Sequence, residues 1–580
     1  MRFDRSYAAG FVFAAMLGLL VAAGPLKAEE PFSEKVDRLI EAACQRDKVP
    51  IAAPADDAEF VRRVYLDLAG VVPTAAQARA FLEDSAAGKH DRLVDHLVVS
   101  PEFFLQMARA FDVMLVERRI ATIPSYDFKP EEWQEWLAES FRKDLRWDRL
   151  AATLLGSDGS DPSSAAAARF YLVRDVEPHL VARDIGRLIL GMDLQCAQCH
   201  DDPRIKAYDQ AGYYGLFAFV NRLKHFRDDK NKKNFVSEKA NGDVSFSSAF
   251  SGAMGMTNPR LPGGEMIADP KLAKDRQYKV KPEKETMGVP AYSRRSRLAE
   301  LLPRRQTPGF SRNAANRLWA YLLGRGLVHP LDMHHPENPP SHPELLDLLS
   351  RRLESTGYDI RGLLRDIART RVYRRSSRLP EGLETAPAAD RFAVAALRPL
   401  SPEQLGWSVL QVAGRLPSRI ERTRRRMKDA AKKSAAQKQA KSAEADRAET
   451  IDLAWQAHKK AYGELRKELQ PLFTVFSRLP GQPDNGFQPS VDQALFLLNS
   501  EQMIKFMKES ELLNRLARIE NPDELANTLF LSVVSRRATE AERQEVAKLI
   551  EGLDDSKRRR EVVRRIVWGQ LVTAEFRLNH

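Results

Sequence analysis

Apolar positions recur along this chain mostly at helical spacing, and each run ends at recognisable punctuation. In "AEFVRRVYLDLAGVVPT", Phe60, Val64, Leu66 and Leu68 follow a mixed helical spacing that stops at Pro73. Thr74 can cap the next helix, which carries Phe81 and Leu82; Leu93, Val94 and Leu97 follow, and Ser100-Pro101 supplies a cap and a first turn. "WQEWLAESFRKDLRWDRLAATLL" is amphipathic and rich in aromatics. Later, Ser341 and Glu344 predict a capping box ahead of Leu345, Leu346, Leu348, Leu349 and Leu353. Gly357 stands where a helix end wants a left-handed residue, and Asp359 can cap the helix carrying Ile360, Leu363, Leu364 and Ile367. Ser401-Pro402 with Gln404 and Gly414, and Asn521-Pro522 with Glu524, repeat the start and stop signals.

The period changes once. Between residues 226 and 290 charged and small residues cluster, and Asn241-Gly242 falls between Phe235-Val236 and the alternating Val244 and Phe246. Asn-Gly favours the positive φ of a hairpin turn, so a hairpin is predicted there within a small β-rich insertion. Residues 415–470 are rich in Ala, Lys and Arg with few large apolar side chains, which predicts a helical arm held partly by its own propensity. The expected fold class is mainly α. Residues 29–225 form one helical domain, 226–290 the β-rich insertion, and 291–580 a second helical domain from which the basic arm protrudes. With 580 residues the chain is too long for one small core.

The N-terminus alters the compartment. Arg2 and Arg5 precede an uncharged apolar run over residues 8–23, and Leu26 and Ala28 occupy the −3 and −1 positions of a signal-peptidase site. Residues 1–28 therefore read as a secretory signal, with the mature chain starting near Glu29 in a periplasmic or other extracytoplasmic space. No later uncharged run approaches the length of a membrane span. Hydrophobic residues make up 43% and charged residues 29%, as in ordinary globular proteins. The net charge of +12 is concentrated: residues 419–441 hold ten Lys or Arg against two acids, a net of +8. Export and the lack of interleaved aromatics argue against a nucleic-acid partner. A solvated helix surface, or contact with an acidic polysaccharide or anionic membrane surface, remains.

Candidate chemistry gathers in "LQCAQCHDDP". Of three cysteines, Cys196 and Cys199 lie three apart and His200 follows at once. C-x-x-C-H is the pattern for covalent c-type haem attachment, in which two thiols hold the porphyrin edge and the histidine reaches the iron. Cys196 and Cys199 are thus candidate cofactor-binding residues and His200 a candidate iron ligand. Two alternatives stay open: a local disulfide, or a metal site completed by Asp201, Asp202 or Asp209. Met192, His179, His225, Met254, Met256 and His334 are candidates for a sixth ligand, and Cys44 reads as a buried thiol. His329, His334, His335 and His342 sit among prolines and read as turn residues. The chain has no Gly-rich phosphate loop, no G-x-S-x-G and no H-E-x-x-H.

"FVRRVYLDLAGVVPT", "LGMDLQCAQCHDDP", "YYGLFAFVNR", "NAANRLWAYLLGRGLVHPLD", "NPPSHPELLDLL" and "QALFLLNSEQM" together resemble a paired-domain family of exported planctomycete proteins. Its first half is a cytochrome-like domain of unknown function and its second a planctomycete-specific companion. The resemblance implies export, a two-domain helical build and no assigned reaction. One position departs: Asp202 stands where the family often has a second histidine, which weakens a two-histidine metal site and leaves haem attachment untouched. Two functional classes follow. One is an exported cytochrome-like electron-transfer or redox component with a partner protein. The other is a non-redox binding or scaffold protein on acidic polysaccharide, with structural cysteines.

Overall fold

The computed structural model describes residues 30–119, 130–144, 146–304, 307, 309–435, 443–477, 490–508, 510–553 and 555–580. The predicted signal segment lies outside them, as does part of the basic run. Among the described residues no helix is long and apolar enough to cross a membrane.

The chain is mainly α, and every sheet among the described residues is a two-stranded antiparallel pair. The predicted caps at Thr74, Ser100, Ser401 and Asn521 are present, each side chain accepting from a backbone N–H in the first turn of its helix. Thr74 and Ser401 form full capping boxes with Gln77 and Gln404. The box predicted at Ser341 is absent. The helix Pro343–Ser355 starts with His342 at its cap and no side-chain cap bond, and His342 Nδ1 meets Ser341 Oγ at 3.1 Å instead. Gly357 is left-handed, at φ +68°, as expected.

Three hairpins occupy the stretch predicted to be β-rich. They pair Leu223–Asp228 with Lys233–Glu238, Val244–Ser247 with Met254–Thr257, and Tyr278–Val280 with Val289–Pro290. Asn241-Gly242 does not turn any of them; it links the first hairpin to the second. The Gly242 carbonyl is claimed by the guanidinium groups of Arg222 and Arg294, both at 3.3 Å, and by Asn221 Nδ2. The first hairpin is turned by Asp228, whose Oδ1 accepts from the backbone N–H of Lys230 and Asn231.

The two sequence halves share one buried apolar cluster, which runs from Val36 to Phe576. Buried polar groups stitch them together. Arg62 donates to Phe576 O at 2.6 Å, and Arg63 to Tyr373 O and Arg375 O at 2.7 and 2.8 Å. Asp67 accepts from Tyr373 Oη, Arg398 Nη2 and Asn579 Nδ2 at 2.8–2.9 Å, beside the short pairing of Arg398–Pro399 with Leu578–Asn579. A buried ion is tolerable only when so surrounded.

Two helices end in the same way. Asp57–Val64 passes into a π-turn, Tyr65–Ala69, closed by left-handed Gly70; Pro178–Asp184 passes into another, Ile185–Leu190, closed by Gly191 at φ +76°. A Cβ at Gly191 would meet His334 Cδ2 at 2.6 Å and Asn313 Oδ1 at 2.9 Å, so only glycine fits. Just before the second π-turn lies an ionic knot. Asp184 accepts from Arg174 Nε at 2.6 Å and Arg187 Nη2 at 3.0 Å, and Arg187 also donates to Glu117 at 2.8 Å. This knot anchors the segment that delivers the cysteines.

The basic region is an antiparallel helix pair, Arg415–Ala435 and Ala443–Phe476. Arg415–Glu468 joins the two helices at their base, and Trp455–Glu139 and His458–Glu102 bind the pair to the body. Several of its cations are paired locally: Arg419 with Glu464, and Arg424 and Arg425 with Glu421. The local charge is therefore smaller than the residue count suggests.

Candidate functional site: the Cys196–His200 turn

After Gly191 the chain is pinned and then released. Met192 bridges Met333, Asp193 N donates to Asp332 O, and the Asp193 carboxylate accepts from Gln195 N while pairing with Arg183. Leu194 and Ala197 are buried, and Cys196 and Cys199 are exposed. Cys196–Gln198 is a single 3-10 turn rather than the α-helix that helical spacing alone implies. In a 3-10 turn residues i and i+3 eclipse, so both thiols still stand on one side. The two sulfurs are free, without a disulfide.

His200 completes the turn, with its N–H reaching Cys196 O at 3.5 Å. Its Nδ1 lies 2.8 Å from Asp201 O. A carbonyl can only accept, so Nδ1 carries the proton and Nε2 holds the lone pair. Among the described residues nothing bonds to Nε2. The Phe250 ring stacks on the imidazole face at 4.2 Å and 20°, which leaves the in-plane Nε2 direction clear. Phe250 itself is 77% exposed, in the turn of the second hairpin. That hairpin is tied to the motif by Ala249 N to Cys199 O at 2.8 Å, and to the following helix by Phe246 stacked on Tyr214 at 4.7 Å. Tyr214 Oη closes the frame by donating to Gln198 O at 2.9 Å.

The carboxylates proposed to complete a metal site are spent on backbone. Asp201 accepts from Gln210 N, Asp202 from Arg204 N and Ile205 N, and Asp209 caps the next helix through Gly212 N. Among the described residues no three His, Cys, Asp or Glu side chains gather closely enough to hold a metal ion.

The candidate sixth ligands scatter. His334 is pushed down to a pKa of about 3 by burial and packs against Asn316 and Gly191. His225 faces Asn234 on the first hairpin. Met254 and Met256 are exposed on the second hairpin, two residues apart and so on one face. Phe246 opposes Gly255 between them, so this face is the one turned away from Tyr214. His179 lies in the aromatic group beside the motif, 2.7 Å from Tyr213 Oη and stacked on Phe217 at 4.2 Å. Cys44 is buried, donates to Arg391 O and is pushed above its usual pKa by burial. Of the proline-flanked histidines, His335 meets Glu337, while His342 is held near a pKa of about 4 by burial. Sequence reasoning missed Phe250. It lies fifty residues beyond His200, and its only local signal is a lone aromatic in the small-residue run "SSAFSGA".

Residues 35–225 match the PSCyt2 family, described as a protein of unknown function (DUF1549), and residues 294–550 match PSD1, a protein of unknown function (DUF1553). Between the two matches lie most of the three hairpins. Comparison with curated proteins and with solved structures returned no match. Two family matches in this order, covering most of the chain, agree with the resemblance carried by the quoted motifs: the chain belongs to the planctomycete-type paired-domain family, a DUF1549 domain followed by a DUF1553 domain.

Proposed function

We propose that this is an exported cytochrome-like protein that carries a c-type haem on Cys196 and Cys199 and serves as an electron-transfer or redox component. The observation that carries the reading is the state of one turn. Two free thiols are exposed on the same side of it, and a histidine with its Nδ1 proton fixed presents an unbonded Nε2. A disulfide staple or a packed thiol pair would not leave two free, exposed thiols.

These residues fit such a group. Each thiol would add across one vinyl C=C, the sulfur bonding one carbon and the thiol hydrogen ending on the other, so no oxidant is needed. His200 Nε2 would hold the iron, with Asp201 O fixing its tautomer as partners of metal-bound histidines do. Phe250, stacked on His200, is an apolar side chain left largely in water beside the thiols, as expected of a surface that awaits an apolar cover. A haem held there would supply reversible one-electron chemistry at its iron. The signal segment agrees with attachment outside the cytoplasm.

Expression in a host with c-type maturation machinery tests the reading. The protein is expected to be exported, cleaved near Glu29 and coloured, with a Soret band. Replacing His200 by Ala should shift the spectrum by altering iron ligation while attachment persists. A colourless protein from such a host, with both thiols free, would overturn the proposal.

A further inference from the structure

A cavity of about 960 Å³ opens elsewhere in the fold. It lies between the helix Pro101–Val116, the end of the helix Phe310–Leu323 and residues 377–397. None of the residues lining it belongs to the Cys196–His200 turn. One wall is apolar: Met107, Phe111 and Met114 recur at helical spacing on one face. Leu331, Leu379 and Leu397 also line the cavity, and Leu379 and Leu397 are 38% and 57% exposed. Leaving side chains of this size in water has a cost that a ligand would remove.

The charges in the cavity do not cancel. Glu117 and Arg187 neutralise each other at 2.8 Å, and Asp332 lies 3.8 Å from Arg187. Arg317 donates Nε to Asn313 Oδ1 at 3.0 Å and Nη2 to Arg187 O at 2.9 Å, neither of which is a carboxylate. Among the described residues Arg325 has no hydrogen-bond or ion-pair partner, and its Nε is buried without one. Three guanidinium groups thus face two carboxylates, Glu117 and Asp332, which leaves one positive charge in excess over an apolar hollow, and Arg317 and Arg325 make no direct ion pair among the described residues. Guanidinium binds carboxylate through paired N–H donors, and the interaction strengthens where water is scarce.

We propose that this cavity binds an organic acid with an extended hydrocarbon body, its carboxylate held by Arg317 and Arg325. The volume suits a ligand of that size and far exceeds an inorganic anion. The apolar walls disfavour a hydrated sugar chain, and the excess positive charge disfavours a cation. The site is independent of the haem reading, so either can fail alone.

Calorimetric titration of the intact protein with decanoate, 1-decanol and decyltrimethylammonium at low salt tests it. Decanoate is expected to bind at least tenfold more tightly than either tail-matched control. Arg317→Gln together with Arg325→Gln should erase that preference and leave decanol affinity unchanged. Ala110→Trp, which fills the hollow and keeps the charges, should abolish binding of both. Equal affinity for acid and alcohol, no binding of decanoate, or a preference that survives both Arg substitutions would overturn the proposal. If the double variant does not fold, the acid-to-alcohol ratio of the wild type decides alone.

Discussion

Asp184 and His200 stand on either side of the same π-turn and are treated in opposite ways. Asp184 and its partner Arg174 have side chains 3% and 0% exposed, and the Asp184 carboxylate is held by three guanidinium groups. His200 has one ring nitrogen fixed by a backbone carbonyl and the other open, with two exposed thiols beside it. A polar group whose valences are all used inside the protein is architecture: it fixes where the chain goes. A polar group left with a directed, unused valence, on a backbone anchored this firmly, is poised for something the chain does not itself supply. The Asp184 knot and left-handed Gly191 hold the segment, and the Cys196–Gln198 turn projects from it.

This contrast can be broken first at the knot. Asp184→Ala leaves Arg174 buried without its anion, and should cost about 3–5 kcal/mol in urea unfolding. A loss below about 1 kcal/mol would mean the knot does not hold the segment.

Acid should act on the same carboxylate. Burial alone raises its pKa, but Arg174, Arg187 and Arg119 more than offset this and hold Asp184 well below the usual carboxylate range. A group depressed in the folded state contributes stability that is complete above its unfolded pKa of about 4 and is lost as pH falls through the folded value. The wild type should therefore lose stability below about pH 4 more steeply than Asp184→Asn. Parallel acid limbs for the two proteins would contradict the assignment.

A smaller effect is expected where the basic helix pair joins the body. Burial lowers the pKa of His458, but its hydrogen bond to Glu102 at 3.0 Å and the carboxylate charge raise it above the usual value. That contribution is complete below the unfolded pKa of about 6.5 and is lost as pH rises through the folded one. His458→Gln should cost about 1 kcal/mol near pH 6 and less near pH 9. Hydrogen exchange across Ala443–Phe476 should show the same trend, and a cost that grows with pH would contradict it.

At the far end of the scale, Cys196→Ser with Cys199→Ser should leave the unfolding midpoint of the haem-free protein unchanged. Both thiols are free and exposed, and among the described residues neither makes a hydrogen bond. A marked fall would make them structural and favour the scaffold reading.

The sequence disclosed what is local. Caps at Thr74, Ser100, Ser401 and Asn521 were legible because a cap needs only its own helix, and the left-handed Gly357 for the same reason. Asn241-Gly242 misled because it links two hairpins instead of turning one, its Gly242 carbonyl held by Arg222 and by Arg294 from beyond the insertion, contacts that no local pattern records. Ser341 misled because His342 took the cap position one residue later. At the site, the motif named Cys196, Cys199 and His200, yet neither the 3-10 turn nor Phe250 on the imidazole could be read from it. The stacking depends on a hairpin that packs only once the fold exists. The two π-turns also leave no simple periodic trace, since one extra residue in a helical turn shifts the apolar pattern without breaking it.

The most direct test of the central claim, that the turn is built to receive a covalently held group, is the mass of the denatured protein. Protein made with c-type maturation machinery should carry the added mass of one haem that survives denaturation. Cys196→Ser with Cys199→Ser should lose that mass while folding normally, and His200→Ala should keep it. An unmodified mass for the wild type from a host that matures its other c-type cytochromes would contradict the account.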